Sequence, residues 1–248
     1  MGHEEHDKET KEDIQQAIDN HGWFVALFEA DTATPAFAYT IGLWKTYGHP
    51  EIICFGLPTS TMHELLNDAG EVIKKGDSIV LDVDDFHYLD NYPVMFKTVE
   101  AENIRDYLGY ARWYYDYKDF PAIQLFWPDK EGIYPWQDGY SKVFEFNQPL
   151  LYQKLDFKFF APRNVCTFTV KQIVNGEKPI LYVVHEDEDG SWQFLTGDEL
   201  SMDDSMVVGL SEITKLDPTV NELFNMPTGQ SATRKFIGDK WIRESANE

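Results

Sequence analysis

Basic side chains are scarce in this sequence. Twenty-one Lys and Arg stand against 43 Asp and Glu, a formal net charge of −22. That shortage argues against direct binding to a nucleic-acid backbone, because neutralising phosphates needs clustered Lys and Arg. Anionic membrane surfaces are disfavoured for the same reason. Cysteine is scarcer still: Cys54 and Cys166 each lie in an apolar, strand-like run, and no C-x-x-C occurs. Both are expected as buried thiols rather than as a disulfide. No run of about 18 apolar residues is present, so no spanning helix is expected. The opening MGHEEHDKETKED has no apolar core of the signal-peptide kind, and His6 stands where a myristoylation pattern needs Ser or Thr. The expected compartment is a reducing cytoplasm. Three catalytic signatures are also missing. There is no G-x-G-x-x-G, no phosphate-cradling G-x-x-x-x-G-K-[ST] and no G-x-S-x-G elbow.

What is present is enough for a substantial core. Hydrophobic residues make up 43% of the 248, and aromatic residues an unusually high 15%. That length suits one large domain or two ordinary ones. The pattern changes near Phe160, and two domains are expected, residues 1–160 and 161–248. An acidic surface on such a chain suits a basic protein partner, whose approach it accelerates by long-range steering, although acidity also simply keeps a protein soluble.

In the first domain residues 1–13 are polar and expected to fray. Ile14, Ala17 and Ile18 predict a short helix ending at His21-Gly22. Strands are expected at Trp23–Phe28, Phe37–Leu43 and Glu51–Leu57. Thr61 and Glu64 have capping-box spacing, and the apolar periodicity predicts a helix over Met62–Lys75 with Gly76 at its end. Strands follow at Ser78–Val83, Val94–Val99 and Ala122–Trp127. Between the last two, an aromatic stripe predicts a helix over Asn103–Tyr117, read as core or partner face. This order suggests an α+β fold whose first domain is a β-barrel-like sheet with helical covers, similar by analogy to split barrels.

In the second domain Val165–Val174 and Pro179–His185 read as a hairpin around Asn175-Gly176. Ser191–Leu195 and Ser205–Val208 are further strands. Asp217-Pro218 predicts an N-capped helix to Phe224, and Phe236–Ile242 a closing hairpin. The whole reads as a small α+β domain.

The densest group of functional side chains lies between Phe37 and Leu57. Pro50 fixes its own φ and pushes His49 out of the helical region, so His49-Pro50-Glu51 is expected to be extended. His49 and Glu51 then share a face and resemble half of a general-base pair or of a metal site. His21, His63 and His87 offer no third ligand at a recognised spacing, so neither metal nor cofactor is expected. The alternative is structural, with the Glu51 carboxylate accepting from Tyr39, Thr40 or a loop amide. A second aromatic-proline segment, Trp127–Trp136, carries Trp127, Asp129 and Trp136, and suits a ligand shelf, a partner anchor or a lid over a barrel end. The candidate binding residues are therefore Tyr39, Thr40, His49, Glu51, Trp127, Asp129 and Trp136, with no catalytic set.

Several separated motifs carry a likeness. Tyr39-Thr40-Ile41-Gly42 and Pro50-Glu51 are joined by Gln124–Asp129 (QLFWPD), Gly132, Pro135-Trp136 and Gln148-Pro149-Leu150. Through these, residues 20–152 resemble the bacterial domain of unknown function 4262, which implies a bacterial origin and no established reaction. The second domain resembles an immunity-protein domain, type thirty-three, of polymorphic toxin systems. It does so through Gly190-Ser191-Trp192, Gly197-Asp198-Glu199 and Leu216-Asp217-Pro218. That resemblance implies binding and neutralising a toxin, or descent from a module that did. The leading expectation is thus an immunity or defence-associated binding protein that engages a basic partner such as a toxin or nuclease. The alternative is an enzyme or small-ligand sensor with its site between Tyr39–Glu51 and Trp127–Trp136.

Overall fold

Apolar residues on both sides of the central strands dictate a sheet covered on both faces. The computed structural model describes residues 2–199 and 201–245. It divides into two compact units: one runs to Ala30 and from Pro35 to Leu155, the other comprises Asp31–Thr34 and everything from Asp156.

The first unit opens with α1 (Gly2–His21), β1 (Phe24–Phe28) and β2 (Phe37–Ile41). A one-turn helix α2 (Leu43–Tyr47) leads to β3 (Glu51–Phe55), then to α3 (Thr59–Lys74), β4 (Asp85–Leu89) and β5 (Tyr92–Thr98). Two short helices, α4 (Ala101–Tyr107) and α5 (Gly109–Tyr114), precede β6 (Ala122–Phe126). The strands form one sheet in the order β1-β2-β3-β6-β5-β4, in which only β3 and β6 run parallel.

The expected barrel does not close, because β1 and β4 remain opposite edges of this open sheet. The reason lies in the helices. The apolar stripe of α3 (Leu65, Leu66, Ala69, Ile73) packs with Trp23, Ala38, Ile52 and Cys54 on one face. On the other, Tyr107 meets Phe55 edge-on, and the amide of Tyr110 donates to the Tyr39 hydroxyl. A sheet buried on both faces by helices has no free face to close upon.

Local predictions fail where tertiary contacts outweigh pattern. Leu43, expected to close a strand, instead opens the one-turn helix of the elbow. The α1 helix starts at Gly2, well before the expected Ile14. Thr61 is not a cap, since α3 begins at Thr59 after Pro58. Residues 78–83 contribute one bridge, Leu81 to Phe96, and the strand forms at Asp85–Leu89 instead. Leu108 divides the aromatic stripe between α4 and α5.

The second unit contains β7 (Cys166–Val170), α6 (Lys171–Val174), β8 (Tyr182–His185), β9 (Trp192–Leu195), β10 (Ser205–Gly209), α7 (Leu210–Leu216), β11 (Gln230–Thr233) and β12 (Ile242–Ser245). Their sheet order is β10-β7-β9-β8-β11-β12. Asn175-Gly176 closes α6 and does not make a hairpin, because β7 pairs with β10 and β9. Asp217 caps a 3-10 helix, Pro218–Leu223, its carboxylate accepting from the Thr219 amide at 3.1 Å. The closing hairpin joins β11 to β12, so residues 236–241 lie within its connection, which spans 234–241. Among the described residues no helix is long and apolar enough to cross a membrane.

Candidate functional site

The elbow between β2 and β3 is built on a backbone that only glycine can follow at one point. Gly42 has φ +113°, and a Cβ there would lie 2.8 Å from the Ile18 side chain and 3.2 Å from the Gly22 carbonyl oxygen. The chain turns at Gly42 straight into α2, and Gly48 (φ +67°) ends that helix. Pro50 then delivers Glu51 as the first residue of β3, its side chain fully buried.

Four donors converge on that carboxylate. The Thr40 hydroxyl donates to Oε2 at 2.6 Å. The amides of Gly42 and Trp44 donate to Oε1 at 2.9 and 3.0 Å, and the Tyr115 hydroxyl does so at 2.5 Å. Thr40 also accepts from the Ile52 amide at 2.8 Å, and Tyr115 from the Gly42 amide at 3.1 Å. Glu51 thus caps the α2 turn from a neighbouring strand. Burial pushes its carboxyl pKa up, opposed by the donors from Thr40, Tyr115, Trp44 and Gly42. Burial and the adjoining carboxylate push the Tyr115 hydroxyl up as well, so Tyr115 keeps its proton and donates.

The structural reading of Glu51 therefore fits, with Thr40 and two amides among its partners. Tyr39 is not one of them: its hydroxyl, pushed up by burial, accepts instead from the Tyr110 amide at 3.0 Å. His49 does not pair with Glu51 either. Its Nδ1 donates to the Pro50 carbonyl at 2.8 Å, and burial holds its pKa below the ordinary imidazole range. Among the described residues no three His, Cys, Asp or Glu side chains come together as metal ligands.

The Trp127–Trp136 segment is built from equally committed side chains. Trp127 is buried, and its indole N–H donates to the Phe55 carbonyl at 2.7 Å. Asp129 is buried and accepts from the amides of Glu131, Ile133 and Ser141 at 3.0, 2.9 and 2.8 Å. Trp136 stacks on Tyr134 with ring centroids 4.8 Å apart, and Lys97 Nζ sits 4.7 Å from its ring centroid. This segment adjoins the Phe55 end of β3, whereas the elbow is at the Glu51 end. With about 3.3 Å of rise per residue the two lie roughly 13 Å apart along the strand. What does adjoin the elbow is a cleft of about 410 Å³, whose lining includes Trp44, Lys45, Tyr114, Tyr115 and Lys118.

Sequence reasoning missed three structural side chains. Tyr115 stood in the aromatic stripe, where spacing alone marks it as core. Gln124 and Gln148 stood within quoted motifs without a role. The Gln124 amide bridges the Pro149 carbonyl (2.8 Å) and the Leu151 amide (3.2 Å). Gln148 holds both the amide and the carbonyl of Trp127, at 3.1 and 2.8 Å.

These features define an α+β protein whose first unit is organised around a buried, fully hydrogen-bonded carboxylate. The sequence profile of a family described as a domain of unknown function (DUF4262) matches residues 17–141, half of the chain. The chain belongs to that family. No curated protein and no solved structure matches it. The matched span contains the elbow, Tyr115 and Trp136, while residues beyond 141 fall outside it.

Proposed function

We infer that this protein works by binding a basic protein partner, as a cytoplasmic, bacterial immunity or defence-associated protein. One observation carries this reading: 43 acidic side chains against 21 basic ones. Pairing every Lys and Arg with a carboxylate would still leave 22 negative charges uncompensated. Such a field accelerates encounter with a cationic partner and weakens as salt screens it. The likeness to toxin-neutralising modules read from Gly190-Ser191-Trp192, Gly197-Asp198-Glu199 and Leu216-Asp217-Pro218 would point the same way. The elbow adds indirect support, since Glu51, Thr40 and Tyr115 are already spent on one another.

The test is association kinetics between the intact chain and small basic proteins across a salt series. The expected result is an on-rate that falls steeply with ionic strength while dissociation changes little. An on-rate indifferent to salt would overturn steering by the acidic surface.

A second reading is a small-ligand sensor or enzyme, favoured by the cleft beside Tyr115, where Trp44 is 41% exposed. It requires a bound small molecule, visible by native mass spectrometry of the purified chain. Displacement of that molecule by Trp44→Ala would decide for it.

A further inference from the structure

The sheet of the second unit is buried on one face and open on the other. Thr169, Val183, Phe194 and Ala232 point to the buried face. On the opposite face one cross-strand row runs through every strand of the sheet. Val207 pairs with Phe168, Phe168 with Gln193, Gln193 with Val184, Val184 with Ser231, and Ser231 with Glu244. Not one member of this row is buried. Its apolar end is strongly exposed, Val207 at 56% and Phe168 at 46%, and Ile242 on the far edge strand is 57% exposed. Single exposed apolar side chains need no explanation, but adjacent ones on an edge strand and its neighbour mark a surface suited to being covered.

The rim tells what kind of surface would cover it. Beside the middle of the row, two residues beyond Val184 along β8, begins the β8–β9 turn, Glu186-Asp187-Glu188-Asp189, four consecutive carboxylates. Their hydrogen-bond partners are neutral. Gln193 of the row donates to Glu186 at 2.6 Å, the Thr228 hydroxyl to Asp187 at 3.2 Å, and the Ser191 amide to Asp189 at 2.9 Å. Among the described residues these four acids form no ion pair with Lys or Arg. An apolar patch bordered by charged groups is how binding surfaces are commonly laid out. A second copy of the chain is a poor occupant, because it would bring another −22 and a second acidic turn against the first.

We propose that the open face of this sheet, centred on Phe168 and Val207 and edged by the Glu186–Asp189 turn, docks a basic protein through an apolar ridge flanked by Lys or Arg. The proposal rests on the partner-binding reading above and assigns it a place. Phe168 is the anchor, being the aromatic member of the pair. The acidic turn sets the approach and the orientation.

The test uses the intact chain and two labelled peptides of equal lysine content, one alternating Leu with Lys and the other Ser with Lys. Fluorescence anisotropy at about 50 and about 300 mM NaCl reads affinity and its salt dependence. The Leu-Lys peptide is expected to bind at least about tenfold tighter than the Ser-Lys peptide. Phe168→Ser/Val207→Ser, a change at exposed positions, is expected to abolish that preference. Glu186→Gln/Glu188→Gln is expected to flatten the salt dependence for both peptides. Bound Leu-Lys peptide should also slow alkylation of the exposed Cys166, two residues from Phe168 along the same strand.

If both peptides bind Phe168→Ser/Val207→Ser as they bind wild type, and Cys166 stays equally reactive, the assignment to this face is overturned while a basic partner remains in play. If neither peptide binds in a salt-dependent way, the underlying reading falls with it. A dimer in sedimentation that Phe168→Ser/Val207→Ser dissociates would give the face to a second copy and overturn the proposal.

Discussion

The Tyr115 hydroxyl lies 2.5 Å from Glu51 Oε1 and 3.1 Å from the Gly42 amide nitrogen, tying α5 to the elbow across 64 residues of chain. The same carboxylate holds Thr40 and the first amides of α2. One buried acid therefore fixes β2, β3, α2 and α5 relative to one another.

Removing that acid should be costly. Glu51→Ala leaves the Trp44 amide and the Thr40 and Tyr115 hydroxyls without their carboxylate acceptor, at about 1–3 kcal/mol for each donor left unsatisfied, while the Gly42 amide keeps Tyr115. Tyr115→Phe should cost less, about 1.5–3 kcal/mol, because three donors remain on Glu51. Denaturant unfolding of the two single variants and the double variant gives the coupling. Strict additivity would mean that the 2.5 Å contact contributes nothing to stability.

The pH dependence has a defined sign. Burial raises the folded pKa of Glu51 above its unfolded value, so the folded chain holds this proton to higher pH than the unfolded one. Its contribution is fully present below the ordinary glutamate range and is lost as pH rises through the folded pKa. Wild type should therefore lose stability relative to Glu51→Gln as pH rises through that window. Parallel stability curves would contradict this.

The two thiols should differ sharply in reactivity. Cys54 is fully buried, with its pKa pushed up to about 12 by that burial, whereas Cys166 is exposed. Thiolate is the reactive form, so native alkylation should modify Cys166 alone and reach Cys54 only after unfolding. Mass spectrometry of the alkylated peptides would settle it, and rapid native labelling of Cys54 would be the contrary result.

Gly70 offers a substitution whose sign is decided by packing. Mid-helix Gly→Ala ordinarily stabilises by about 1 kcal/mol. Here the added Cβ would meet the Trp23 indole at 2.3 Å, a contact that ring and helix must move to relieve. Overpacking of this kind costs about 1–3 kcal/mol, so Gly70→Ala should be neutral to destabilising by thermal melting. A rise in melting temperature would show that Trp23 yields easily.

In the second unit Arg234 and Asp217 form a buried pair, 0% and 4% exposed, within hydrogen-bond contact. Arg234 also donates to the Ile180 carbonyl and the Thr219 hydroxyl. Asp217→Ala leaves the guanidinium without its counter-charge and should destabilise by about 3–5 kcal/mol. Asp217→Ala/Arg234→Met should recover part of that loss, read from the same unfolding transition.

Much of this was legible from residues alone. The two apolar strands around Pro50-Glu51 alternate too little to be half-exposed, and both are buried. The α3 stripe follows from 3- and 4-residue spacing, and Asp217-Pro218 announces its own cap. Glu51 at the head of an apolar strand already called for hydrogen-bond donors. The expectation that Cys166 is buried was wrong because its strand alternates, and period 2 does not say which face is covered.

The sequence by itself determined the family, the α+β class, the large negative charge and the positions of most core elements, because these depend on composition, short-range periodicity and local backbone constraint. Only the tertiary structure decided that the first sheet stays open, that Tyr115 completes the Glu51 cluster, and that the elbow and the Trp127–Trp136 segment lie at opposite ends of β3. Those outcomes depend on which strands pair and which helix covers which face. They are set by contacts between residues tens of positions apart, and no local pattern encodes such contacts.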